Sequence, residues 1–374
     1  MRAKRRILIV GGYGVFGFRA AERLSREPDL EIVIAGRSLE HARAAAASLA
    51  GNAVAGTEAV MIDATKPDAA TLAALGPTVV INASGPFQAQ DFTLARAAIS
   101  AGAHYIDLAD AADFVIGFAR DRELDASARA RGVLVTSGAS SVPAISGAVL
   151  DQFAPAIERL KCVRAGISPG NSFDPGPATT ASILSAVGQP FRMKRNGAWT
   201  NVHGWQGLSR HHFPAVGPRW MGYCNVPDLQ LFAERYPDLE TVEFSAGVEV
   251  SMFHLGLWAL SWPSRWGWLR KPERFAVPLL AVKRQLSFLG SDIGCMFVEL
   301  EGADAAGAAK RIVWHLVARQ GHGPYIPTTP AVILAKKLVR GEIATRGAQA
   351  CVGLVTLAEI ENELADLAIT MSAA

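Results

Sequence analysis

Short apolar runs alternate with alanine-rich amphipathic stretches through the first part of the chain. RILIV precedes GFRAAERLSRE, EIVIAG precedes LEHARAAAASLA, AVMID precedes DAATLAAL, and TVVINAS precedes FTLARAAISAG. HYIDLAD leads into FVIGFARDRELDASARARG, and VLVTSGAS closes the series. Strands that are apolar nearly throughout need cover on both faces, and strands alternating with helices are the pattern of a parallel sheet. Right-handed crossovers then wind that sheet doubly.

The texture changes after about Ile145, where proline, tryptophan and phenylalanine become frequent. KCVRAGIS predicts a strand and ATTASILSAVG a helix. FRMKRNGAWTNV predicts a hairpin turning at Asn196-Gly197. VEFSAGVEVSMF reads as another strand, and CMFVELEG and RIVWHLVA flank GADAAGAAK as a second hairpin. Antiparallel strands with helices make an α+β domain. From Pro330 the tail reads as helical, in AVILAKKLVRG and LAEIENELADLAI. A chain of 374 residues fits roughly two domains of about 150 residues. The expected division is 1–145 for the parallel domain, 146–325 for the α+β domain, and 326–374 for C-terminal helices that pack back on either one.

The segment GGYGVFG contains Gly12-x-Gly14-x-x-Gly17, placed after a strand and at the start of a helix. That context turns a weak glycine pattern into a dinucleotide-binding fingerprint, and the fold class becomes α/β: a Rossmann doubly wound parallel sheet with a second α+β domain. The first glycine permits a tight turn, the second a close approach of pyrophosphate, and the third close helix–strand packing. The helix N-terminus spanning Tyr13, Val15 and Phe16 offers free N–H groups to phosphates. The second strand ends in Gly-Arg-Ser, where an acidic residue would bind the ribose 2′-OH. Arg37 reverses that charge and can pair with a 2′-phosphate through two charge-assisted hydrogen bonds. Ser38 adds a hydroxyl and caps the following helix. The expected cofactor is therefore NADP(H), with a plain surface arginine beside a helix cap as the alternative. Asp63, ending the third strand, is placed to accept from the adenine amino group or to cap a helix. Ala83, Ser84, Gly85, Pro86 and Phe87 follow the fourth strand, near the expected nicotinamide ribose, and Gly138 ends the last strand near the nicotinamide.

Charge and cysteine content narrow the class further. The net charge is +3 with 19% charged residues, which gives no electrostatic footprint for nucleic acid. Cys162, Cys224, Cys295 and Cys351 are far apart and form no CxxC pair, so neither a metal site nor a disulfide framework is expected, and the expected compartment is the reducing cytoplasm. The apolar run in MRAKRRILIVGG is too short for a signal peptide, and it reads as a first strand behind a basic lead. No run of about 18 apolar residues is present to span a bilayer.

GGYGVFG, AGRS, INASGPF, HYIDLAD and SGASSVPAIS, in that order at strand ends, resemble the saccharopine dehydrogenase-like family, in its NADP-binding domain. The resemblance covers about the first 150 residues; the tail GPYIPTTPAVILAKKLVRG is also similar. It implies NADP(H), cofactor roles for Gly12, Gly14, Gly17, Arg37 and Ser38, and a second domain used for substrate binding and dimerisation. It also implies oxidoreductase activity on C=N or C=C bonds. No substrate motif of the amino-acid enzymes is matched in the second half.

Hydride transfer needs a held nicotinamide and often a proton donor nearby. Tyr105 and Asp107 share a face of their strand, and Asp107 lies nearest its ligand end, as a catalytic acid or as the cap of the next helix. His211 and His212 point apart on a strand and read as no metal pair. Trp258, Trp262, Trp266 and Trp268, with Arg265, Arg270 and Lys271, form an aromatic, basic segment that Pro263 is expected to interrupt. Core, dimer contact, substrate pocket and, last, a membrane surface through 258–271 are its readings. The function expected is an NADP(H)-dependent oxidoreductase acting on a small or lipid-like C=N, C=O or C=C substrate as a homodimer. The alternative is a non-catalytic NADP(H)-binding sensor or assembly protein.

Overall fold

The computed structural model describes residues 5–51 and 53–374; the basic lead before Arg5 lies outside them. The strands are β1 (Arg5–Val10), β2 (Leu30–Gly36), β3 (Gly56–Met61), β4 (Val79–Asn82), β5 (His104–Asp107) and β6 (Leu134–Ser137). They continue with β7 (Arg159–Ser168), β8 (Pro190–Arg195), β9 (Ala198–His203), β10 (Ser209–Phe213), β11 (Gly217–Tyr223) and β12 (Thr241–Ala246). The last are β13 (Gly294–Ala303), β14 (Ala309–Ala318), β15 (Gly347–Ala350) and β16 (Ile369–Ala373). The helices are α1 (Val15–Leu24), α2 (Leu39–Ala50), α3 (Ala69–Leu75), α4 (Thr93–Ser100), α5 (Ala112–Arg120), α6 (Arg122–Ala130) and α7 (Ser146–Phe153). They continue with α8 (Gly176–Ser185), α9 (Asp228–Arg235), α10 (Ser251–Arg265), α11 (Ala276–Gln285), α12 (Thr329–Arg340) and α13 (Leu357–Glu363).

The chain divides into two compact units, one of Met1–Ile145 with Pro324–Val355, the other of Ser146–Gly323 with Thr356–Ala374. Unit 1 holds a seven-stranded parallel sheet in the order β15-β6-β5-β4-β1-β2-β3. This is a Rossmann sheet with one extra strand at its edge. Its central strands carry side chains with no exposure, among them Ile7, Leu8, Ile9, Val33, Ile34 and Ile81, as their unbroken apolar runs require. The tail contributes more than helices. α12 buries Val332, Leu334 and Ala335 in this unit, and β15 extends the sheet beside β6.

Unit 2 is built on a mixed sheet in the order β10-β11-β12-β7-β13-β14-β16, with the β8–β9 hairpin attached to β12. β12 and β7 are parallel and the other pairings are antiparallel. Both expected hairpins form. Asn196 and Gly197 have φ of 51° and 81°, the left-handed pair that a two-residue hairpin turn requires. Phe213 and Met221 pack with Cys295, Phe297 and Val317, so the β10–β11 end folds over the β13–β14 face. The strand expected over VEFSAGVEVSMF ends at Ala246, and Ser251 begins α10. A Cβ on Gly247 would stand 2.5 Å from the Trp220 carbonyl, and the chain turns there. Pro263 does not interrupt α10: it lies in the last turn, two residues before the helix ends at Arg265, so the helix loses one internal N–H donor just where it stops.

Candidate functional site

β1 ends at Val10 in register with Ala35 of β2 and Asn82 of β4. These strand ends meet where the sheet order reverses, the place where open α/β sheets bind ligands. The turn from β1 into α1 closes with the Gly14 N–H donating to the Gly11 carbonyl at 2.9 Å. Gly11 has a φ of +79°, and a Cβ there would stand 2.8 Å from the carbonyl carbon and oxygen of Ala83. The left-handed turn therefore belongs to Gly11, a residue the sequence reading passed over in favour of Gly12. Gly12 answers to close approach instead, since its Cβ would lie 2.8 Å from the Ile9 carbonyl oxygen. A Cβ on Gly17 would run into the Gly11 carbonyl, so α1 can start directly against the turn. Gly14 is the N-cap of α1 and supplies no capping side chain. The positive end of α1 therefore carries no capping side chain, and a helix end of that kind attracts an anion.

At the end of β2, the Tyr13 ring lies over Gly36, where any Cβ would collide with it. The Ser38 N–H donates to the Tyr13 hydroxyl at 3.2 Å, and the Ser38 Oγ accepts from the His41 N–H, capping α2. Tyr13 also meets the His41 ring edge-on at 5.6 Å. Gly36 was not among the residues expected to shape the site; its signal was the small residue just before Arg37. Arg37 is exposed. Asp63 accepts from the Thr65 N–H and hydroxyl at 2.9 and 2.8 Å, which hold its carboxyl below the usual range, with the charge of Arg37 adding to the effect. The cap of α3 is Asp68 rather than Asp63.

Along the sheet, Asn82 of β4 is in register with Asp107 of β5. Asn82 Oδ1 accepts from the Ser84 N–H at 3.0 Å and the Ser84 hydroxyl at 2.5 Å. Asn82 Nδ2 donates to the Tyr105 hydroxyl at 3.1 Å and to Gln90 Oε1 at 3.4 Å. Gln90 Nε2 returns a bond to the Ser84 carbonyl at 2.7 Å. Ala83–Phe87 is thereby fixed at its base, with Phe87 packed on Phe114, while Gly85 and Pro86 stand exposed at the tip.

Asp107 has no exposed surface and Tyr105 only 2%. Asp107 Oδ1 accepts from the Ser137 hydroxyl, the Gly138 N–H and the Ala109 N–H at 2.9, 2.9 and 3.0 Å, and Oδ2 has no hydrogen-bond partner. Burial pushes the Asp107 pKa up to about 6 against the pull of those donors. Burial and the Asp107 charge push Tyr105 well above its ordinary value. Gly138 has a φ of +86°, and a Cβ on it would stand 2.5 Å from the Pro143 ring. The two side chains expected to face the substrate thus lie inside, and Tyr105 is joined to the exposed Gly85-Pro86 tip through Asn82 and Ser84. Cys351 closes the same edge: its N–H donates to the Ser137 carbonyl at 2.8 Å, and burial raises its thiol to about 12, which leaves it unreactive. In unit 2, His211 Nε2 lies 3.0 Å from His315 Nε2 and stacks on Phe297. Among the described residues no group of three or more His, Cys, Asp or Glu is placed to hold a metal ion.

Fold and site together are those of a dinucleotide-binding Rossmann unit. Residues 7–136 match the family model described as saccharopine dehydrogenase NADP binding domain. Among solved structures, the chain is similar to an apo histidine-tagged saccharopine dehydrogenase (L-Glu forming) from Saccharomyces cerevisiae. The match has a TM-score of 0.70 and 14% identity, covering 99% of this chain and 100% of that one. It shows the shared fold. A meso-dapdh mutant with DAP from Clostridium tetani matches at a TM-score of 0.47 and 12% identity, covering 97% of this chain and 99% of that one. GenD2 from gentamicin A biosynthesis, in complex with NAD, matches at 0.38 and 16%, covering 83% and 72%. These last two likenesses are too low to carry an argument. No curated protein matches the sequence. No helix among the described residues is long and apolar enough to cross a membrane.

Proposed function

We propose that the protein is an NADP(H)-dependent oxidoreductase of the saccharopine dehydrogenase-like type, moving a hydride to or from a C=N, C=O or C=C bond. The observation that carries the cofactor choice is the exposed guanidinium of Arg37 at the end of β2, beside the Ser38 cap of α2. The site fits the cofactor on independent grounds, since its glycine turn leaves no room for side chains and the α1 N-terminus is uncapped. Bound there, the nicotinamide would supply or accept the hydride. Gly12, Gly14 and the first turn of α1 would hold the pyrophosphate, Arg37 and Ser38 the 2′-phosphate, and Ala83–Phe87 the nicotinamide ribose. Tyr105 and Asp107 act as positioning residues: the Tyr105 hydroxyl accepts from Asn82, which in turn fixes Ser84, and Asp107 holds Ser137 and Gly138. The four free cysteines support residence in the cytoplasm. A homodimer belongs to the same reading.

The test is nucleotide titration of an Arg37→Ala variant. Loss of charge-assisted bonds is expected to weaken NADPH binding by about 1–3 kcal/mol and leave NADH binding nearly unchanged. Equal losses for both nucleotides would remove the 2′-phosphate role. A second reading, a non-catalytic NADP(H) sensor, is favoured by the burial of both Asp107 and Tyr105. NADPH oxidation with any imine, ketone or activated alkene separates the two.

A further inference from the structure

Most of the exposed large apolar side chains among the described residues lie between Met252 and Leu289. Trp268 is 80% exposed, Phe288 75%, Val277 66% and Trp266 56%. The segment is firmly built. Leu257 and Leu260 of α10 pack around the same core as Ala276 of α11, together with Leu184, Val187 and Trp205. The tryptophans form a ladder, Trp258 to Trp262 to Trp266 to Trp268, with ring centroids 6.3, 5.8 and 5.2 Å apart. The ladder runs from half-buried rings to exposed ones. On α11, Ala276 and Leu280 are buried while Val277, Leu279 and Val282 face solvent, so this helix is apolar on both sides. A helix with that character needs a second apolar environment.

Charge indicates what that environment is. Between Ser251 and Leu289 the bases are Arg265, Arg270, Lys271, Arg274, Lys283 and Arg284, against the single acid Glu273. Arg265 bonds Gln206 Oε1, Lys283 the Phe173 carbonyl, and Arg284 pairs with Asp174. Arg270, Lys271 and Arg274 are exposed and pair with no acid among the described residues. Exposed tryptophans beside unpaired bases suit the headgroup layer of a bilayer. A second copy of the chain on the same patch would oppose like charges across a two-fold axis.

We propose that residues 252–289 seat the protein on an anionic phospholipid surface, with Trp266, Trp268, Val277 and Phe288 entering the headgroup–acyl boundary and Arg270, Lys271 and Arg274 meeting phosphates. The inference goes beyond the cofactor reading and does not depend on it.

The experiment is co-sedimentation of the full chain with vesicles of phosphatidylcholine alone or of equal parts phosphatidylcholine and phosphatidylglycerol. The protein sediments with the anionic vesicles only, and less as salt is raised. Arg270→Gln/Lys271→Gln/Arg274→Gln lowers that binding on the order of a hundredfold at low salt, and Trp268→Ser/Phe288→Ser abolishes it. Because these side chains are exposed, both variants keep the wild-type circular dichroism and melting temperature. Failure of the wild type to sediment with anionic vesicles overturns the proposal, as does binding that survives the Trp268→Ser/Phe288→Ser change. A wild-type dimer that the same change splits into monomers also overturns it, by showing a second copy on the patch.

Discussion

The two units bury carboxylates in contrasting ways. In unit 1 the Asp107 carboxylate receives three donors at its Oδ1, all from strand ends and turns of the same sheet edge, and its pKa stands near 6. In unit 2 Asp228, the first residue of α9, is 2% exposed and neither oxygen has a hydrogen-bond partner. The Ser146 hydroxyl lies near enough to lower its pKa, yet burial still carries it to about 7. Elsewhere in unit 2 the solution is an ion pair. Buried Arg219 donates to the Ser168 carbonyl, to Glu249 Oε1 and to the Ile293 carbonyl at 2.9, 3.2 and 2.9 Å. Glu249 in turn accepts from the Asn171 and Ser291 N–H groups. Two backbone N–H groups and one short hydroxyl converging on strand ends suffice in the parallel sheet, whereas the mixed sheet depends on a long side chain to bridge β7, β11 and the approach to β13. The cost of removing a single side chain should differ accordingly.

The largest effect is expected at Arg219. Arg219→Met strips Glu249 of its counter-charge and leaves two carbonyls unmet, and it should cost about 3–5 kcal/mol in urea unfolding. A cost below about 1 kcal/mol would mean that the Asn171 and Ser291 donors alone sustain Glu249. Next comes Asp228. Its carboxyl moves from 3.8 to about 7 on folding, so the native state keeps a proton that the unfolded chain gives up. The stability this contributes is complete below pH 3.8 and is lost as pH rises through about 7. Asp228→Asn has no such slope, and above pH 7 it should exceed the wild type by about 2–4 kcal/mol, read as melting temperature against pH. A parallel pair of curves would place the carboxylate in contact with water. The smallest effect is at Asp107, whose shift from 3.8 to about 6 has the same sign over a narrower window. Asp107→Asn forfeits charge-assisted bonds while it removes the slope, and the net gain above pH 6 should stay within about 1 kcal/mol. If Asp107→Asn matched Asp228→Asn, the contrast between donated and undonated carboxylates would fall.

Unit 1 was legible because its physics is local. RILIV, EIVIAG and TVVINAS are apolar enough to declare buried strands, and GGYGVFG and AGRS mark the turns that follow. The details lost were those set by neighbours. Spacing fits Gly12, Gly14 and Gly17, but only the proximity of Ala83 shows that Gly11 makes the left-handed turn. Nothing local says that Tyr13 covers Gly36, or that Asp107 turns inward toward Ser137 and Gly138. β15, with sequence GAQA, has no β-branched residue; it is a strand because β6 offers an open parallel edge, which no propensity records. In unit 2, SMFHLGLW carries apolar residues on every side, so its period did not distinguish a strand from the start of α10.

Unit 1 is threaded around its neighbour in sequence: its last pieces, α12 and β15, follow the whole of Ser146–Gly323. A ribosome making this chain therefore cannot finish the amino-terminal fold first, as multidomain proteins generally do. Until residues 324–355 emerge, the nascent sheet has a bare edge at β6 and lacks the cover that Val332, Ile333 and Leu334 provide. Through that interval the β6 edge is open to foreign strands, which unpaired edges invite.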